Sequence, residues 1–113
     1  MKKQAKRDLF PGALEMMVLR TLKLQPMHGY ALVQRIKRAS NDLLQIEEGS
    51  LYPALQRLLK DDLVKAEWGI SETNRRIRIY ELTAKGRKHL DQEVLSFEQM
   101  LEGITRVLAP SKA

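Results

Sequence analysis

Glu48-Gly49-Ser50-Leu51-Tyr52-Pro53-Ala54-Leu55-Gln56-Arg57-Leu58-Leu59-Lys60-Asp61-Asp62 is the stretch whose reading decides the fold. Its residues predict a helix over 49–61, with Gly49 and Ser50 as candidate caps. Pro53 falls in the first turn of that reading, where a missing N–H costs nothing. Leu51, Leu55, Leu58 and Leu59 recur at helical spacing and face a core. Ser50, Pro53, Gln56, Arg57 and Lys60 make the opposite face. A short helix that is apolar on one side and hydrogen-bonding on the other is what a major groove requires of a reading element. An ordinary amphipathic surface helix shares that pattern, so the neighbouring segments must decide between the two.

A chain of 113 residues with 43% hydrophobic content supports one domain with a modest core and an appended helix. No stretch approaches the roughly 18 consecutive apolar residues of a membrane span, and the N-terminus lacks a signal peptide's apolar region. The expected location is therefore the cytoplasm, with no membrane partner. The absence of cysteine excludes disulfides and cysteine-ligated metals and fits a reducing compartment. Twenty Lys and Arg against fourteen Asp and Glu give a net charge of +6 and a pI near 9.8. That balance favours a polyanionic partner, of which nucleic acid is the commonest.

Residues 1–8 carry Lys2, Lys3, Lys6 and Arg7 with little to bury. They read as a basic flexible tail, or as a phosphate-contacting arm if the domain binds DNA. After Phe10-Pro11-Gly12 a helix is expected from about Ala13 to Leu24. Its apolar positions Leu14, Met17, Val18, Thr21 and Leu22, flanked by Met16 and Leu19, cover more than half of the cylinder. Such a surface meets the domain's own core and, in the sharper reading, a partner subunit.

Gln25 to Gly29 breaks that helix, and a second begins near Tyr30, with Leu32, Val33, Ile36 and Ala39 inward. Ser40-Asn41-Asp42 ends it. Leu43 to Ile46 reads as a short strand, and the opening helix follows. Beyond Asp62, Leu63 to Trp68 and Arg75 to Leu82 alternate as two strands around a loop of turn-forming residues, Gly69 to Asn74. Ile77 and Ile79 share one face of the second strand; Arg76, Arg78 and Tyr80 share the other. Arg75, Arg76 and Arg78 bring charge to the hairpin rim, where a duplex backbone would pass. Three helices followed by a basic hairpin is the layout of a winged helix-turn-helix domain, here residues 9–82 with the wing at 64–82. The fold class is thus mainly α with a small β-hairpin.

Thr83 is a candidate N-cap for a last helix over 83–108, ahead of Pro110, with 109–113 as a flexible tail. Leu90, Val94, Phe97, Leu101, Ile104 and Leu108 follow one another at intervals of 4, 3, 4, 3 and 4. This heptad seam makes the helix a dimerisation element, with Met17 as a further contact. Asp91, Glu93 and Glu98 flank the seam and repel in a simple parallel pair. The seam therefore calls for a basic or neutral surface as well, such as the partner's first helix with Arg20 and Lys23.

Gly49-Ser50-Leu51-Tyr52-Pro53-Ala54-Leu55 resembles the signature helix of the PadR-type transcriptional regulators. So do Pro26-Met27-His28-Gly29-Tyr30, Glu67-Trp68-Gly69, and Tyr80-Glu81-Leu82-Thr83 with Lys85-Gly86, all in the family's order from about Leu9 to Leu108. Trp68 to Arg76 looks most like a branch common in acidobacterial genomes, whose C-terminal part is one short helix. The resemblance implies a dimeric winged-helix repressor on a palindromic operator, its last helix packed against the partner's first. It matches Ser50, Tyr52, Pro53 and Arg57 to the recognition helix and Arg75 and Arg76 to the wing tip. Many members have two tyrosines where this chain has Ile79-Tyr80, so a contact made by the first is lost or replaced. Relatives that bind planar aromatic ligands use aromatic residues on the dimer helices, where this chain has only Phe97, with Met100 nearby.

His28 and His89 are the only histidines, and neither is read as having a carboxylate or second histidine at metal spacing. Ser50 has no base near it in sequence, and no glycine-rich loop resembles a phosphate cradle. The chain is read as a non-enzyme without cofactor or metal: a homodimer on double-stranded operator DNA, with a small-molecule effector left open. Gln56 and Arg57 would reach base edges, while Ser50, Tyr52 and Lys60 grip phosphates. A winged-helix protein-interaction module and an aromatic-ligand (multidrug) sensing repressor are the alternatives.

Overall fold

The structure, a computed structural model, describes residues 12–110. The basic segment 1–8 and residues 111–113 of the tail lie outside the described residues. The order is α1 (Ala13–Leu22), β1 (Met27–His28), α2 (Gly29–Ala39), α3 (Glu48–Lys60), β2 (Val64–Ile70), β3 (Arg76–Leu82) and α4 (Ala84–Leu108). The strands form one antiparallel sheet in the order β1-β3-β2. This is a winged helix-turn-helix domain with a long terminal helix.

The core lies where α1, α2 and α3 meet the base of the sheet. Val18, Leu19, Leu32, Leu51, Leu55 and Leu90 are its largest fully buried side chains. Leu51, Ala54, Leu55 and Leu58 bring α3 onto it. These positions recur three and four residues apart, so one stripe of the helix is apolar and the other is left to solvent. In the hairpin, Val64 pairs with Leu82 and Ala66 with Tyr80, and this base of one sheet face closes the core from below. Thr83 ties three elements together. Its Oγ1 accepts from the Gly86 amide (2.9 Å) and donates to the Asp62 carbonyl (2.7 Å), capping α4 and fastening it to the turn after α3.

Several expectations need correction. Leu43 to Ile46 is not a strand but an irregular link; Ile46 is buried in the core while Leu43 is exposed. The third strand is instead Met27–His28, paired with Tyr80 and Ile79. A single apolar anchor in a solvated link does not make a ladder, whereas the residues ahead of α2 lie along the open edge of β3. Gly49 and Ser50 do not cap α3. The cap residue is Glu47, and its carbonyl accepts from the Ser50 and Leu51 amides. Pro53 is consequently the sixth helical residue, in the second turn, and the Gly49 carbonyl receives no N–H from it. The hairpin is longer than expected, with β2 running on to Ile70. Its tip is tied by the Ser71 amide to the Arg75 carbonyl (2.8 Å) and by the Arg75 amide to Ser71 Oγ (3.0 Å).

Candidate nucleic-acid interface

On α3 the exposed residues Gly49, Pro53, Gln56 and Lys60 fall at intervals of 4, 3 and 4, along the line directly opposite the buried stripe. Gln56 and Lys60 carry the polar groups of that ridge. Tyr52 and Arg57 leave the helix on its two flanks, and each is held by a neighbour. The Tyr52 ring lies over the first residue of α2, with its hydroxyl 2.7 Å from the place where a Cβ on Gly29 would stand. Arg57 turns toward α1, where its Nε donates to Glu15 Oε2 (2.8 Å) and its Nη2 lies 2.7 Å from the same oxygen as an ion pair. Ser50 is exposed near the helix start. The outward face of α3 is therefore a narrow ridge with two flanks turned to neighbours rather than one continuous polar side.

The wing carries its charge on an aromatic support. Trp68 pairs across the strands with Arg78, and Ile70 with Arg76. The Arg76 guanidinium stacks over the Trp68 ring at 4.3 Å from its centroid, and that of Arg78 lies at 5.8 Å. Stacking of this kind holds a cation by the ring's quadrupole while leaving the N–H groups at its edge to meet an anion. Arg75 and Arg76 are exposed at the tip. Arg78 is farther in: its Nε is shielded from solvent and finds no hydrogen-bond partner among the described residues. Two residues on, Tyr80 is buried, and that burial raises its pKa, opposed by the positive charge of Arg78 and reinforced by Tyr52.

Along α4 the expected seam divides in two. Leu90 is 1% exposed and Val94 packs against the same core, so the first part of the seam is spent inside the chain's own domain, where α4 meets the chain's own α1. Phe97 is half-buried. Leu101, Ile104 and Leu108 are exposed, with Met100 and Val107 beside them. Met17 is partly covered by the core.

Of the histidines, His28 precedes α2 in β1. His89 does have a carboxylate one turn on, contrary to the sequence reading, since its Nε2 lies 3.9 Å from Glu93 Oε2. Among the described residues, no three His, Cys, Asp or Glu side chains converge as metal ligands. No helix among them is long and apolar enough to cross a membrane.

Glu15, Gly29 and the backing of the arginines by Trp68 escaped sequence reasoning. Glu15 is 42 residues from Arg57, beyond any local periodicity. The Trp68–Arg76 stack was accessible in principle, because strand register alone puts the two on one face.

Comparison with known proteins agrees with this geometry. A model described as the transcriptional regulator PadR-like family matches residues 18–92. The solved structure of a transcriptional regulator from Clostridium thermocellum superposes with a TM-score of 0.80 at 27% identity, covering 88% of this chain and 93% of that one. A PadR-like transcription factor from Bacteroides fragilis gives 0.69 at 32% identity, covering 85% and 90%. Among curated proteins, an uncharacterized protein of Lysinibacillus sphaericus is 28% identical over 95 residues, 84% of this chain and 87% of its own length.

Proposed function

The chain belongs to the PadR-like family of transcriptional regulators, and on that premise we propose that it is a homodimeric repressor that blocks a promoter by occupying a palindromic operator. It acts in the bacterial cytoplasm as a binding protein rather than an enzyme. The ridge of α3 enters the major groove, where Gln56 and Arg57 meet base edges. Ser50 and Tyr52 at its margins and Lys60 at its C-terminal end grip phosphates, and Arg75 and Arg76 follow the backbone from the wing.

The observation that carries the dimer is the bare half of α4, whose Leu101, Ile104 and Leu108 are 47%, 39% and 76% exposed. A helix of 25 residues is about 37 Å long, and among the described residues its outer turns find no apolar cover. A second copy supplies that cover and sets two α3 ridges about one helical turn of DNA apart. An effector that altered the angle between the terminal helices would change that spacing and release the DNA.

Gel-shift titration with the region upstream of the protein's own gene tests this. A repressor gives a salt-sensitive shift with strong preference over random DNA. Weak, unselective binding would instead identify a protein-interaction module.

A further inference from the structure

Building on the DNA-reading role proposed above, we infer that Glu15 is a positioning residue that aims Arg57 at a guanine edge and withholds it from phosphates. Arg57 donates from Nε to Glu15 Oε2 and sets Nη2 at 2.7 Å from the same oxygen as an ion pair. This contact uses the side edge of the guanidinium. The end edge, made of Nη1 and the outer proton of Nη2, points away from the carboxylate, and it is the donor pair that matches guanine O6 and N7. Because the group is planar and rigid, holding one edge fixes the direction of the other.

The pair's side chains are 59% and 23% exposed, so it adds little to stability. Its effect falls on where the fork points and on what the fork attracts. With Glu15 attached, the pair is neutral as a unit. An approaching phosphate meets a carboxylate as well as a guanidinium and gains little, whereas a base acceptor has no net charge to be repelled. One guanine per half-site is the ligand this arrangement selects.

Glu15→Gln keeps the size of the side chain and removes its charge. The parent, E15Q, R57A and the double variant are titrated against a duplex that the parent selects from a random pool. Parallel titrations use a scrambled duplex and copies of the selected one with each guanine replaced in turn by 7-deazaguanine, at several salt concentrations. The parent should lose about tenfold in affinity at one substituted position. E15Q should lose most of that sensitivity, bind the scrambled duplex more tightly, and steepen its salt dependence by about 0.9 in log–log slope, one added phosphate contact. The double variant should behave as R57A. If E15Q keeps the parent's guanine sensitivity and slope, the inference is wrong. It is equally wrong if E15Q weakens every duplex alike in the R57A background, because Glu15 would then act through the packing of α1. A parent that selects nothing from the pool overturns the DNA-reading role itself; a selective parent with an unaltered E15Q overturns only the role of Glu15.

Discussion

The Tyr52 hydroxyl and Gly29 occupy the same small space: a Cβ at residue 29 would lie 2.7 Å from the hydroxyl oxygen and 3.1 Å from the ring. The contact joins the start of α2 to one flank of α3. A methyl group at residue 29 would push the Tyr52 ring off the start of α2; the ring is 44% exposed and can swing outward, so the cost stays below the about 1–3 kcal/mol of overpacking in a closed core. Gly→Ala also gains a few tenths to about 1 kcal/mol by restricting the unfolded chain. Gly29→Ala should therefore be less favourable in the parent than in a Tyr52→Ala background. Urea unfolding of the four proteins reads that difference directly.

Gly86 is constrained first by backbone and then by the Leu82 side chain. A Cβ there would stand 2.0 Å from the Leu63 carbonyl oxygen, and neither chain can yield without breaking the Thr83 junction. Gly86→Ala should cost about 3 kcal/mol or more. Gly103, on the exposed part of α4, has nothing within 4 Å of its own Cβ position. Ala there should leave the isolated domain as stable or raise it by up to about 1 kcal/mol. Equal losses at both positions in thermal unfolding would contradict this account of the junction.

Two halves of one heptad seam should respond differently to substitution. Leu90 is in the core, so Leu90→Ala should cost about 2–5 kcal/mol whatever the association state. Leu101 is 47% exposed and lies outside the core cluster, so Leu101→Glu spares the packing of the domain. It should leave the helical circular dichroism intact and shift sedimentation from dimer to monomer, with loss of operator affinity.

Arg76 lies over Trp68, so the wing carries its own reporter. Arg76→Ala should weaken binding to all sequences alike and reduce the salt slope by about 0.9 if it holds one phosphate. Operator added to the parent should change Trp68 emission, and the same addition to the Arg76→Ala variant should change it less. An unaltered slope would remove Arg76 from the phosphate contacts.

Much of the fold was legible in the sequence because its signals are local. The leucines of α3, the alternation on either side of the hairpin turn, and Thr83 ahead of a long periodic helix each act within a few residues. The reading lost accuracy where tertiary partners decide. Leu43 to Ile46 has strand-forming residues but no strand beside it, and Met27–His28 becomes a strand only because the edge of β3 is open there. Gly49-Ser50 has the residue types of a cap, yet the helix starts one residue earlier, at Glu48. For the candidate site, periodicity located Gln56 and Lys60 on the outward ridge, while the restraint of Arg57 by Glu15 and of Tyr52 by Gly29 depended on contacts that no spacing encodes. The heptad seam is continuous in sequence, but its start is consumed by the core because α1 packs across it.

Hydroxyl-radical footprinting of the upstream region tests the central claim most directly. Two symmetric protected patches on one face of the duplex, centred about 34–36 Å apart and lost together in the Leu101→Glu variant, are the predicted result. A single asymmetric patch, or protection that survives loss of the dimer, would contradict it.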